Sequence, residues 1–234
     1  MDFGFNPVVF GVCCAFVLCG VGFGVWCMCR YLHFSFVWAA AISSAVNLAL
    51  LALVLSLQSY ESAPLDVYHI FQILMIYLVL SVFFVMAYLD YVYLALPDSV
   101  LMVFFVLGCA CVVSIAMPAS SIWVHMSDAL VLMGGAFVVR FFGEVISQKP
   151  MLGEADIIVF GGIGLVFGVL FALLSVFVAS CLALVVALVR FIVYRTRTQA
   201  IAFVSYLFVG VLISYVGDLG NLAQIALYNG AWNV

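Results

Sequence analysis

Apolar residues fall along this chain in long runs, interrupted by short polar clusters. Runs near residues 8 to 29, 34 to 57, 67 to 89, 99 to 117 and 128 to 146 are each about long enough to cross hydrocarbon as a helix. Crossing about 30 Å takes roughly 20 residues at about 1.5 Å per residue. The strands of a membrane barrel would be about half that length and would alternate in polarity. The stretch from Ile157 to Val189 carries no charge. As one helix it would extend about 50 Å, too far for a single crossing, so it has to fold back. Gly161, Gly162, Gly164 and Gly168, with Ser175 beyond, are the candidate positions for close packing and for the reversal. A last run, Ile201 to Val216, brings the expected number of crossings to eight.

Composition agrees with this pattern. Of the 234 residues 70% are hydrophobic and 7% charged, too little polar surface to cover a water-soluble globule. The expected fold is all-α, a polytopic membrane protein of about eight transmembrane helices. The opening "MDFGFNPVVF" has an acid where a secretory signal carries bases, so the first run reads as a retained helix. With eight alternating crossings, Arg30, Arg140, Lys149, Arg190, Arg195 and Arg197 lie at one face. Asp2, Glu61, Asp66, Asp128 and Asp218 lie at the other. Short cytoplasmic loops retain Lys and Arg, which makes the basic face cytoplasmic and both termini extracytoplasmic. No internal repeat or linker appears, so residues 1–234 read as a single membrane-embedded domain.

Four acids gather at the basic face: Asp90 and Asp98 in "LDYVYLALPDSV", and Glu154 and Asp156 in "GEAD". A carboxylate at the helix centre in hydrocarbon costs about 2.5–3.5 kcal/mol on insertion scales, so acids inside or at the edge of it are candidates for function. Asp98, after Pro97 and before an apolar run, also suits an N-cap, and Asp156 could be favoured by the N-terminal dipole of its helix. Asp90 ends a helix arriving from the outer face, where that dipole opposes a negative charge. It needs another reason to be there. Glu154 and Asp156 are two positions apart, roughly 200° around a helix, so they cannot both face Asp90. Glu154 reads as solvated, or as an attraction for a basic substrate segment.

Two carboxylates from separate helices can share one proton. The ionised acid then takes a proton from water, the water attacks a peptide carbonyl, and the neutral acid protonates the carbonyl oxygen and later the leaving amine. Such a pair predicts a bell-shaped dependence of rate on pH.

These residues resemble the type IV prepilin peptidases, membrane aspartyl proteases of the GxGD class. "DYVYLALPD" is similar to the family's first motif, Asp followed at fixed spacing by Leu or Ile, Pro and Asp or Asn, and would make Asp90 the first catalytic aspartate. "GEAD" is similar to Gly-x-Gly-Asp at a helix start and would make Asp156 the second, with Pro97, Asp98, Gly153, Glu154 and Ala155 as motif positions around them. "GVGFGVWCMCR" resembles the family's opening glycine-rich helix, and "IAFVSYLFVGVLISYVG" its final one, with Ala202 and Ser205 in place of prolines. The resemblance implies an aspartic-type endopeptidase in the bacterial cytoplasmic (inner) membrane, serving type IV pilus or type II secretion systems. Its substrates would be prepilin- or pseudopilin-like proteins with a basic leader, cut after a Gly at the cytoplasmic face. It implies no cofactor for proteolysis. It leaves open N-methylation of the product with S-adenosylmethionine, although the sequence shows no nucleotide-binding motif. Membrane lipid is the other expected partner; nucleic acid is not.

Three departures carry expectations of their own. Ala155 replaces the second Gly of GxGD, and if positive φ or close backbone approach were required there, its Cβ would cost on the order of 1 kcal/mol. Ile158 stands where many members have Lys. "RYLHFSF" is too short for the four-cysteine zinc insert of many members, and no metal site is expected. The eight cysteines, Cys13, Cys14, Cys19, Cys27, Cys29, Cys109, Cys111 and Cys181, lie in apolar runs without a C-x-x-C pair and read as small hydrophobes. Nothing pairs His33, His69 and His125 as ligands. Arg140 and Glu144, four apart, suggest a local ion pair, and the tryptophans, Trp26, Trp38, Trp123 and Trp232, suggest lipid contact. Two other function classes remain at this point: a proton- or ion-coupled transporter, which would commonly show inverted repeats or paired broken helices, and a membrane assembly factor without catalysis.

Overall fold

The computed structural model describes residues 7–32, 35–58, 67–115, 120–148, 152–194 and 201–217. Among the described residues the chain forms eight helices and no strand: α1 (Pro7–Leu32), α2 (Phe36–Gln58), α3 (Val67–Tyr93), α4 (Asp98–Ile115), α5 (Ser120–Ser147), α6 (Glu154–Phe167), α7 (Val169–Tyr194) and α8 (Phe203–Val216). Each expected run corresponds to a helix. The segments Cys14–Leu32, Ile70–Tyr93, Ile122–Ser147 and Val169–Val193 are long and apolar enough to span a bilayer, and Trp38–Val54, Asp98–Ser114 and Phe203–Val216 are shorter apolar helices. The protein is an all-helical, polytopic membrane protein. At 14 residues, α6 extends only about 21 Å.

The bundle is organised around α3, which packs on α1, α2, α4 and α8. Tyr77, Leu80, Phe83, Met86 and Leu89 of α3 are fully buried. Phe83 lies between Phe104 of α4 and Phe208 of α8, with ring centroids at 5.5 and 5.3 Å. By contrast α5 and α7 present broad apolar faces, Phe137, Phe141, Ile146, Phe177 and Ile192 among them, as helices that meet lipid must. Trp38 and Trp123 are exposed, while Cys27 and Cys111 are fully buried in the core, as small hydrophobes.

The long charge-free stretch reverses at Gly168. Its φ of 84° lies in a region that side-chain-bearing residues rarely adopt, and it separates α6 from α7 by one residue. Phe160 meets Phe203 and Phe167 meets Tyr215, so α6 and α8 run in the same direction with α7 returning between them. Ser175 is buried inside α7, its hydroxyl donating to the Phe171 carbonyl 2.9 Å away, so it plays no part in the turn. The other glycines of α6 serve close packing. A Cβ on Gly161 or Gly164 would strike Met133 or Leu132 of α5, and one on Gly162 would strike Phe104 of α4.

Of the charged residues expected to sort between the two faces, the described ones are Arg30, Arg140, Arg190 and Asp128. The Tyr31 hydroxyl lies 3.0 Å from Ser99 Oγ, and the Tyr93 hydroxyl donates to the Tyr31 carbonyl, so the end of α1 with Arg30 adjoins the end of α3 and the start of α4. Arg140 and Arg190 lie toward this same end of the bundle. Asp128 lies at the opposite end, where its carboxylate accepts the N–H of Val169 at the start of α7 (3.3 Å). Lys149, Arg195, Arg197, Asp2, Glu61, Asp66, Asp218, His33 and Trp232 lie outside the described residues.

Buried polar side chains tie α1, α2 and α3 together. Asn47 Oδ1 accepts from the Tyr77 hydroxyl (2.5 Å) and from Ser81 Oγ (2.7 Å), while its amide donates to the Ser43 carbonyl (2.8 Å). Ser43 Oγ in turn donates to the Val21 carbonyl of α1 (3.1 Å). Polar groups away from water need such partners, and small residues such as Gly20 and Gly24 allow the approach. Replacing Asn47 with Ala strands two hydroxyls. It is expected to destabilise the protein by about 1–2 kcal/mol, measured as a lowered unfolding midpoint in detergent.

Candidate active site

Asp90 and Asp156 both lie toward the basic end of the bundle, Asp90 near the end of α3 and Asp156 in the first turn of α6. Asp90 sits one turn before the end of α3 with 8% of its surface exposed. The helix stops soon after it because Leu94, at φ 54°, donates its N–H to the Asp90 carbonyl (2.8 Å) and turns the chain away. Asp156 is half-buried in the first turn of α6, where its Oδ2 accepts the Gly153 N–H at 2.9 Å. The two carboxylates belong to separate helices and are related through the first turn of α8, where Val204 binds Asp90 and Phe203 meets Phe160, one turn after Asp156.

The reason for an acid at the end of α3 lies in α8. Asp90 Oδ2 accepts the Val204 N–H at 2.9 Å. The residue before α8, Ala202, has no side chain able to cap it. Asp90 therefore serves as an N-cap supplied by another helix: unfavourable for the dipole of α3, it is favourable for that of α8. Sequence reasoning missed this pairing. The available signal was an apolar helix beginning "IAFVS" with no capping residue of its own, which requires an acceptor from elsewhere.

The neighbouring motif positions divide in the same physical terms. Asp98 is exposed and occupies the first helical position of α4, while the Pro97 carbonyl accepts from Val100 (3.0 Å) and Leu101 (3.2 Å). It is a first-turn acid favoured by the dipole rather than the N-cap expected. Gly153 precedes α6 with extended backbone (φ −69°, ψ 154°), and a Cβ there would lie 3.1 Å from Asp156 Oδ2. Ala155 is helical and packs against the core. It needs no positive φ, so the strain expected at this departure from GxGD does not arise. Ile158 also packs on the core.

Arg140 is bound differently from expectation. Its guanidinium meets Glu154 Oε1 at 2.9 Å and so joins α5 to the start of α6, instead of pairing along α5 with Glu144. The α5–α6 packing brings these groups together, a contact that i, i+4 spacing cannot reveal. Glu154, 83% exposed in its side chain, thus points away from the interior that Asp156 enters. The two acids of "GEAD" separate as their helical spacing requires.

Comparison with known proteins places these residues in context. Residues 77–188 match the model of the type IV leader peptidase family, a stretch from the middle of α3 into α7 that includes Asp90, Pro97, Asp98, Gly153, Glu154, Ala155 and Asp156 but not α8. No curated protein and no solved structure gives a match. Over residues 77–188, just under half of the chain, the sequence is similar to the type IV leader peptidase family, which supports the resemblance drawn from its motifs.

Proposed function

We propose that this protein is an aspartic-type endopeptidase that removes the basic leader of prepilin- or pseudopilin-like proteins, with Asp90 and Asp156 as its catalytic pair. The family supports a leader peptidase role in general. The observation carrying the finer reading is that Asp90 and the helix start bearing Asp156 both adjoin the first turn of α8, at the basic end of the bundle. One carboxylate, ionised, takes a proton from water as the water oxygen bonds to the carbonyl carbon of the scissile Gly. The other, protonated, donates to the carbonyl oxygen. Collapse of the tetrahedral intermediate breaks the C–N bond, and a proton passes to the leaving amine. Half-exposed Asp156 faces the entering peptide, while Asp90 is held from behind by α8.

The basic face would be cytoplasmic in a bacterial inner membrane, which sets a substrate's junction between basic leader and apolar helix at the level of the pair. Incubating the purified protein in lipid vesicles with a peptide spanning such a junction, followed by mass spectrometry, tests the reading. Cleavage after the Gly is expected. Cleavage elsewhere, or none, overturns the substrate assignment. A methyl increment on the new N-terminus when S-adenosylmethionine is added would assign the second activity to this chain, and an unmodified N-terminus after complete cleavage would remove it as a required partner reaction.

A further inference from the structure

The first turn of α8 touches both aspartate-bearing helices. Ser205 Oγ donates to the Ala87 carbonyl of α3 at 2.6 Å, one turn before Asp90. The Val204 N–H holds the Asp90 carboxylate itself, at 2.9 Å. On the opposite side the Phe203 ring packs edge-on against Phe160, one turn after Asp156, with centroids 5.9 Å apart. At their other ends α6 and α8 meet through Phe167 and Tyr215, with centroids 6.1 Å apart. Three consecutive residues therefore connect the end of α3 to the start of α6, and they lie outside the segment that matches the family.

We propose that Ser205 is a positioning residue for the aspartate pair: its hydroxyl fastens the first turn of α8 to α3, so that the backbone N–H of Val204 fixes one oxygen of Asp90 and Phe203 sets α6 beside it. The proposal rests on the reading of Asp90 and Asp156 as catalytic. Its physical basis is directional. A carboxylate with one oxygen, Oδ2, held by a backbone donor is restricted in rotamer, which directs its other oxygen toward water and Asp156. Without the Ser205 anchor, the helix start keeps its N–H groups but loses its registration on α3. A misplacement of about 1 Å can cost a reaction of this kind up to about a hundredfold in rate.

The test compares Ser205→Ala, Ser205→Thr and Val209→Ala in vesicles, with kcat and KM for a junction peptide measured beside Asp90→Asn. Val209 is exposed on α8 and serves as the control for altering that helix. In Ser205→Ala, kcat is expected to fall about ten- to a hundredfold with KM nearly unchanged, the unfolding midpoint to match that of Val209→Ala, and Ser205→Thr to restore kcat. Unchanged kcat, or a loss that follows the midpoint or is not rescued by Thr, overturns the proposal. Hydrogen exchange read by mass spectrometry supplies an arm independent of activity. Deuterium uptake across residues 201–206 should rise in Ser205→Ala and in Asp90→Ala and stay at the wild-type level in Val209→Ala. Unchanged uptake in the first two overturns the clamp. Full cleavage by Asp90→Asn would instead overturn the aspartate reading, leaving the exchange data to judge the clamp.

Discussion

Asparagine at either Asp90 or Asp156 is expected to lower cleavage of a junction peptide by about 10²–10⁴-fold, the usual contribution of a positioned acid or base. Asn keeps the size and one acceptor oxygen of Asp, so the Val204 N–H can still be bound at position 90 and the Gly153 N–H at position 156. Only the ability to exchange a proton is lost. Loss of activity with an unchanged unfolding midpoint would therefore report chemistry and not folding. Asp98→Asn and Glu154→Gln should stay within a few-fold of wild type, because Asp98 is an exposed first-turn acid and Glu154 points outward to Arg140. The wild-type rate should pass through a maximum with pH, since only the singly protonated pair holds both a base and an acid. A monotonic profile, or activity surviving in Asp156→Asn but lost in Glu154→Gln, would show that the pair is wrongly assigned.

The helices, and the need for the long run to reverse, are legible in the sequence because hydrocarbon leaves few alternatives; that Gly168 rather than Gly161, Gly162 or Gly164 makes the turn is not. A run of about 20 apolar residues must satisfy its own backbone, and an over-long run must turn where glycine permits. The two aspartates are legible for a similar reason, as acids at the edge of apolar helices. What remained hidden depends on which helices touch. Arg140 has Glu144 four residues on, so a local pair is the natural reading, but the tight α5–α6 packing permitted by Gly161 and Gly164 offers Glu154 instead. Asp90 looked misplaced at the end of α3 because its partner, the uncapped start of α8, lies far along the chain. Ala155 looked like a strained substitution because a motif glycine suggests positive φ, whereas the position is ordinary helix, where Ala is the best helix former.

Gly210 is where the scaffold and the site should fail together. It sits on the buried face of α8 against α7, and a Cβ there would overlap the Ser175 carbonyl oxygen and lie 3.1 Å from the Ala179 backbone nitrogen. Both obstacles are backbone, which cannot swing aside as Met133 or Phe104 might beside Gly161 or Gly162. Gly210→Ala should therefore push α7 and α8 apart, costing about 1–3 kcal/mol as overpacking does, with Gly210→Val at or beyond the upper end. Because α8 also carries the Val204 N–H that holds Asp90, the displacement should reach the site, and activity should fall in molecules that remain folded. Gly134→Ala on α5 is the contrast, since nothing lies within 4 Å of the Cβ it would gain. There the better helix propensity of Ala should leave the protein as stable as before or raise stability by up to about 1 kcal/mol. Unfolding midpoints in detergent and cleavage rates in vesicles for the three variants measure both effects. Equal midpoints for Gly134→Ala and Gly210→Ala would mean that α7 and α8 do not pack at backbone contact, and the route by which α8 reaches Asp90 would have to be redrawn.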